Sequence, residues 1–262
     1  MRPLRVLHDC FPDDPALDAA VSRAVMHRVA HGALPETLRL ARPAAAVAFA
    51  KRDALSPGYG RALAAARASG FGAILRLAGG RAAVFHEGTL ELAHAVPDAD
   101  PKPGIHDRFE ATATLIARAL STVGVDARVG EVPGEYCPGR WSVNAAGARK
   151  LAGTGQRVVA GGSHTGAVIV VHGAERVRDV LARVYGALEL EWDPGTAGAV
   201  EDELGDGRRA SGGSLWEAVR DALLAEYATR FELVPGQLDD ETLAAARRLA
   251  AEHRAPAQTQ TA

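Results

Sequence analysis

From Val125 to Val171 the chain stays extended while glycine returns at positions 130, 134, 139, 147, 153, 155, 161, 162 and 166. Glycine is a poor helix former, so this stretch has to be strands joined by tight turns. Within it "WSVNAAGARKLAGTGQRV" has the alternation and central turn of a hairpin, and "TGAVIVV" reads as a buried strand. Helical patterns lie on both sides. "DDPALDAAVSRAVMHRVAHG" places Leu17, Val21, Val25 and Val29 on one face and stops at Gly32. "RALAAARASG" stops at Gly70 and "RFEATATLIARALSTVG" at Gly124. "AERVRDVLARVYG" follows the buried strand, then a polar glycine-rich loop from Pro194 to Gly213. "SLWEAVRDALLAEYATRF", opened by a Ser214 cap with Glu217 three residues on, and "DDETLAAARRLAAEHR" close the chain. Further strands are expected on either side of Pro43 in "ETLRLARPAAAVAFAKRD", in "AILRL", and on either side of Glu87–Gly88 in "RAAVFHEGTLELAHAV". Helices flanking a mixed sheet make this an α/β (α+β) chain. With no internal repeat, 262 residues fit one domain over residues 1–254, with a disordered tail at 255–262.

Composition removes several classes of function. A net charge of −2 lacks the basic surplus that non-specific nucleic-acid binding needs. Two cysteines, Cys10 and Cys137, are too few for a disulfide scaffold and suit a reducing cytoplasm. No apolar run has the length of a signal peptide core or a membrane span, so the expectation is a soluble, cytoplasmic protein. No paired C-x-x-C or H-E-x-x-H spacing points to zinc, and no metal site is expected. Neither a Walker A loop nor a G-x-S-x-G elbow is present.

Three glycine-bearing segments could carry chemistry. In "RLAGGRAAVFHEG", Gly79 and Gly80 lie between Arg76 and Arg81, with His86 after an apolar run. Paired glycines allow a close backbone approach to a ligand, though a plain turn beside a satisfied histidine would look the same. In "GEYCPGRWSVNAAGARKLAGTGQR", Cys137 sits on a loop before the hairpin, either as an inert thiol or as a nucleophile helped by a cation such as Arg140. Lys150 in the same segment is one of only three lysines, with Lys51 and Lys102, among thirty basic residues. A chain that otherwise uses arginine either places this ammonium by chance or needs a compact three-donor charge there. In "GGSHTGAVIVV", His164 precedes the buried strand as a ligand contact or a polar turn residue.

Together the three segments resemble the lipoate–protein ligase and octanoyltransferase family, which is similar in fold to biotin protein ligases and class II aminoacyl-tRNA synthetases. "RLAGGRAAVFHEGTLELAHAV" resembles its R-R-x-x-G-G-(G/R)-A-V-x-H-D segment. "GARKLAGTGQR" resembles its G-(R/K)-K-(I/L)-x-G-(S/T)-(A/G)-Q segment, and "SHTGAVIVV" its H-G-x-(I/L)-L strand. The resemblance implies a largely antiparallel mixed sheet and, from the "GGR" form and the short C-terminus, the cysteine-dependent octanoyltransferase branch. It departs at Leu75, where the family has a first arginine, at Glu87 for aspartate, and in the cysteine-to-lysine spacing.

The resemblance implies an acyltransferase that takes an octanoyl or lipoyl group from acyl carrier protein to a lysine of a lipoyl-domain acceptor. Glycine cleavage H protein and 2-oxoacid dehydrogenase acyltransferase subunits are such acceptors. Cys137 would carry a thioester, Lys150 would sit beside the acyl carbonyl, and Gly79 and Gly80 would steady the oxyanion. Arg76, Arg81, His86, Gly153, Thr154 and His164 would bind substrate, with no cofactor required. The alternatives are an ATP- and Mg-dependent ligase with Arg76 and Arg81 near phosphate, or a non-catalytic acyl- or biotin-binding relative. Val84 and the strand at Val168–Val170 are expected to wall an apolar tunnel for the chain.

Overall fold

Local signals set the helix ends in the computed structural model, which describes residues 1–205 and 214–255. β1 (Arg2–Leu7) leads into α1 (Pro15–Ala30), where the Asp14 side chain accepts the Leu17 N–H at 3.1 Å and Pro15 fills the first turn. The chain leaves α1 through Gly32 at φ +73°. β2 (Thr37–Ala41), β3 (Ala46–Phe49), the single turn α2 (Lys51–Ala54), α3 (Tyr59–Ala68), β4 (Gly72–Leu75), β5 (Ala83–Phe85) and β6 (Thr89–Pro97) follow. α4 (Ile105–Thr122) and β7 (Ala127–Val129) precede the hairpin of β8 (Val143–Ala145) and β9 (Arg149–Val159). Its turn puts Ala146 and Gly147 at φ 52° and 78°, the mirror-image geometry that hairpins favour. β10 (Gly162–Val170), α5 (Ala174–Ala187), α6 (Leu215–Ala228), β11 (Phe231–Pro235) and α7 (Asp240–His253) complete the order. At α6 the expected box forms, with Ser214 Oγ accepting the Glu217 N–H and Glu217 accepting the Ser214 N–H, each at 3.3 Å.

Eight strands form one sheet in the order β11-β1-β2-β6-β10-β9-β8-β7. β11, β1 and β2 run parallel, and every pairing from β2 to β7 is antiparallel. The helices flanking a mixed, largely antiparallel sheet form as expected, and β3 and β5, the strands after Pro43 and before Glu87, pair with β4 in a second, three-stranded sheet, because the Pro43 and Glu87–Gly88 breaks let the chain change layers. α1 and α7 cover one face of the large sheet, packing Val21, Val25 and Ala246 over Leu7 and Ala95. α4 and α6 cover the other, with Ile116, Leu120, Val219 and Leu223 over Leu38, Leu40, Leu90 and Leu92. α3 and α5 close over the small sheet. Both faces of the central strands are thereby buried.

Residues 206–213 of the expected polar loop and 256–262 of the expected tail lie outside the described residues. Ala255, assigned to that tail, is instead buried, and its N–H donates to the Ala73 carbonyl at 3.4 Å. Among the described residues no helix is long and apolar enough to cross a membrane.

Candidate active site

The three glycine-bearing segments converge on one cavity of about 430 Å³, between the α1 face of the large sheet, the small sheet and the loop before β8. Its walls are mostly apolar: Ile74, Phe85, Phe109, Trp141 and Val168 line it, and Cys137 stands among them. The thiol is brought there by unusual backbone. Cys137 has φ 43°, a left-handed conformation that a side chain adopts only when its surroundings hold it. The Tyr185 hydroxyl accepts the Cys137 N–H at 2.9 Å and donates to the Ala82 carbonyl at 3.0 Å, tying the cysteine loop to the strand after the Gly79–Gly80 turn. Two donors converge on Sγ: the Arg81 backbone N–H at 3.2 Å and Arg76 Nη1 at 3.8 Å. Gly80, at φ +110°, makes the approach possible, since a Cβ there would lie 2.9 Å from Sγ.

Lys150 is only 1% exposed, and its ammonium is fully engaged. Nζ donates to Glu135 Oε1 at 2.9 Å, to the Tyr136 carbonyl at 3.0 Å and to the Cys137 carbonyl at 2.8 Å. It also lies 4.8 Å from the centre of the Tyr136 ring. The resemblance puts this ammonium beside the acyl carbonyl; in the structure its three donors brace the loop that carries Cys137. Glu135 is the other half of the brace. Its buried carboxylate accepts the Val132 and Gly139 N–H groups at 3.1 and 3.0 Å and the Ser142 hydroxyl at 2.6 Å. Nothing in the sequence singled it out, because a lone glutamate in a loop ordinarily belongs to solvent.

The other expected site residues divide. Arg76, Gly79, Gly80, Gly153, Thr154 and His164 line the cavity with Cys137 and Lys150. Thr154 Oγ1 donates to the Trp141 carbonyl at 3.1 Å, fixing β9 against the loop. His164 is 6% exposed, and burial, helped by His94 and Arg39, pushes its pKa down to about 4, so the ring is neutral near pH 7. The Arg81 side chain turns away to pair with Asp53 at 3.1 Å and contributes only its backbone. His86 does not reach the cavity. Its Nδ1 accepts the Gly88 N–H at 3.0 Å and holds the turn into β6, and burial lowers its pKa to about 4. Arg140 is not the cation at the thiol either: its guanidinium lies 5.0 Å from the centre of the Trp141 ring, and Arg76 takes that place. Of the expected tunnel wall only Val168 faces the cavity: Val84 and Ile169 point to the opposite faces of their strands, and Val170, on the same face as Val168, lies beyond the cavity. Val84 and Val170 pack under α5 and Ile169 under α4, while Ala83 and Phe85 line in place of Val84.

The chain is similar to an octanoyl-[GcvH]:protein N-octanoyltransferase of Geobacillus kaustophilus, 30% identical over 53% of this chain and 49% of the relative. It is 34% identical to the enzyme of the same description from Anoxybacillus flavithermus over 61% of this chain and 58% of the relative. A lipoyl-[GcvH]:protein N-lipoyltransferase of Listeria monocytogenes is 28% identical over 65% and 59%. The matches thus span about half the length of these curated relatives. Among solved structures, a lipoate-protein ligase A bound with ATP superposes with a TM-score of 0.74 at 19% identity over 96% of this chain and 95% of that one. The bipartite lipoate protein ligase of Thermoplasma acidophilum gives 0.71 at 19% identity over 96% and 93%, and both likenesses concern the fold. The model of the lipoyl protein ligase A/B catalytic domain matches residues 14–191, more than half of the chain, and the chain belongs to that family.

Proposed function

We propose that the chain is an acyltransferase that moves an octanoyl or lipoyl group onto a lysine of a lipoyl-domain protein through a thioester on Cys137. The observation that carries this reading is the placement of Cys137. Its sulfur faces an apolar cavity with an N–H and a guanidinium aimed at it, while Lys150 grips its carbonyl. In the first step Sγ bonds to the acyl carbonyl carbon, the bond from that carbon to the donor breaks, and the thiol proton leaves with the donor group. In the second the acceptor amine attacks the thioester carbon, the C–S bond breaks and a proton returns to sulfur. The Arg81 N–H and the Arg76 guanidinium, the donors nearest the sulfur, are the groups available to the developing oxyanion.

The names of the similar enzymes carry octanoyl or lipoyl on GcvH, which supports a glycine cleavage H-type protein as a partner in the exchange. Acyl carrier protein as donor, and 2-oxoacid dehydrogenase subunits as acceptors, rest on the resemblance in sequence. Transfer of this kind needs no added cofactor. The ATP-dependent reading is less supported, because the similar curated enzymes are named transferases and the Arg81 side chain is paired with Asp53. Incubation with octanoyl carrier protein or octanoyl-GcvH, acceptor withheld, should add one octanoyl mass that hydroxylamine removes and Cys137→Ser lacks. A protein that stays free of adduct yet octanoylates an acceptor from octanoate and ATP would overturn the proposal.

A further inference from the structure

We infer that Glu91 closes the far end of the acyl cavity and sets the length of chain the enzyme accepts, an inference that rests on the acyl-transfer reading. Three residues form one row across the sheet: Gly153 of β9 pairs with Val168 of β10, which pairs with Glu91 of β6. All three line the cavity. The Gly153 end is the cysteine end. A Cβ on Gly153 would lie 3.3 Å from Lys150 Cε, and the Lys150 ammonium holds the Cys137 carbonyl. Two strand spacings separate Gly153 from Glu91, about 10 Å. Eight carbons joined by bonds of about 1.5 Å in a zigzag reach about 9 Å. An octanoyl chain whose carbonyl lies over Gly153 and whose tail follows this row therefore brings its terminal methyl to Glu91.

A carboxylate is an odd wall for a methyl group, and its bonding says why it serves as a stop. Glu91 is 14% exposed and is held at both oxygens, by Ser22 Oγ at 3.1 Å and Arg39 Nη1 at 2.9 Å. Arg39, fully buried, is itself paired with Asp18 and donates to Ser22 Oγ at 3.1 Å. An aliphatic end wall gives way to a longer chain by changing rotamer, whereas Glu91 cannot move without leaving a buried guanidinium short of a partner. Extra methylenes would also strip the carboxylate of its remaining contact with water. Ala19 of α1 lines the cavity together with Glu91.

The test is the intact mass of the acylated enzyme after incubation with N-acetylcysteamine thioesters of hexanoate, octanoate, decanoate and dodecanoate. The wild-type enzyme should prefer octanoyl over decanoyl, two methylenes longer, by at least the roughly 10–200-fold that a closed pocket gives for one methylene. Glu91→Ala should erase that preference, and Glu91→Gln, which keeps the wall, should retain it. Ala19→Leu, which disturbs no hydrogen bond of the cluster, should shift the preference to hexanoyl and serves if Glu91→Ala does not fold. An unchanged chain-length profile in Glu91→Ala or Ala19→Leu overturns the inference while leaving the transferase reading intact. A wild-type enzyme that takes no acyl group from any of the four overturns both.

Discussion

An ammonium has three N–H donors, and Lys150 directs all of them at the segment from Glu135 to Cys137. The scarcity of lysine in the sequence singled out this residue, and its neighbours decide its task. Arginine's planar fork cannot converge on a carboxylate and two successive carbonyls, which a tetrahedral ammonium does. Removing it has a second consequence at the residue scale. Glu135 would be left buried without a cation, a change that costs about 3–5 kcal/mol. Lys150→Ala for want of the cation, and Lys150→Arg for the misfit of its fork, should both melt at lower temperature than the wild type and load Cys137, the proposed acyl carrier, at least about 10²-fold more slowly, the cost of a reacting group displaced by about an ångström. An alanine variant that melts like the wild type would show that the ammonium does not brace the loop. Normal loading by the arginine variant would show that the tetrahedral geometry does not matter.

Among elements, the cysteine loop is held from two directions: β9 through Lys150, and α5 through the Tyr185 hydroxyl that bridges Cys137 and Ala82. Tyr185→Phe keeps the ring in its apolar setting and deletes only the bridge, leaving one buried N–H and one carbonyl unpaired. It should cost about 1–3 kcal/mol in urea unfolding and change the alkylation rate of Cys137 by iodoacetamide; an unaltered rate would mean the loop needs no tie to α5. This cross-link was invisible in the sequence because its partners lie 48 and 103 residues from Tyr185. Signals carried by neighbours were visible: the Ser214–Glu217 box, the stops at Gly32 and Gly70, and the hairpin turn at Ala146–Gly147 all form as read. β1 and β11 escaped notice, since "RPLRVL" and "FELVP" are short and their parallel pairing joins opposite ends of the chain. The same division runs through the site. The glycine segments and Cys137 announce themselves by residue type, while Glu135 and Glu91 acquire meaning only from what the fold packs around them.

At the scale of the whole molecule, burying imidazoles makes stability depend on pH. His86 and His164 are 2% and 6% exposed and titrate near pH 4, against about 6.5 in an unfolded chain. Burial is the main cause at both, and at His86 the nearby Arg176 adds to it. Between pH 6.5 and 4 the unfolded chain binds a proton at each ring and the folded chain does not, so acid favours unfolding. The stabilisation is complete above pH 6.5 and is lost progressively as pH falls toward 4, roughly 3 kcal/mol for each imidazole. Glu91 acts in the opposite sense, because burial raises its carboxyl pKa despite Arg39, so proton uptake there favours the folded state. Burial lowers the pKa of His27 and His253 as well, so the net slope should follow the histidines. Urea unfolding from pH 7.5 to 4.5 should show stability falling with acid, with a shallower fall in His86→Gln. His86 lies outside the cavity, and its Nδ1 accepts the Gly88 N–H, so charging the ring also forfeits the bond that holds the turn into β6. A stability profile that is flat below pH 6.5, or one as steep in His86→Gln as in the wild type, would mean that the ring is not kept neutral by the fold.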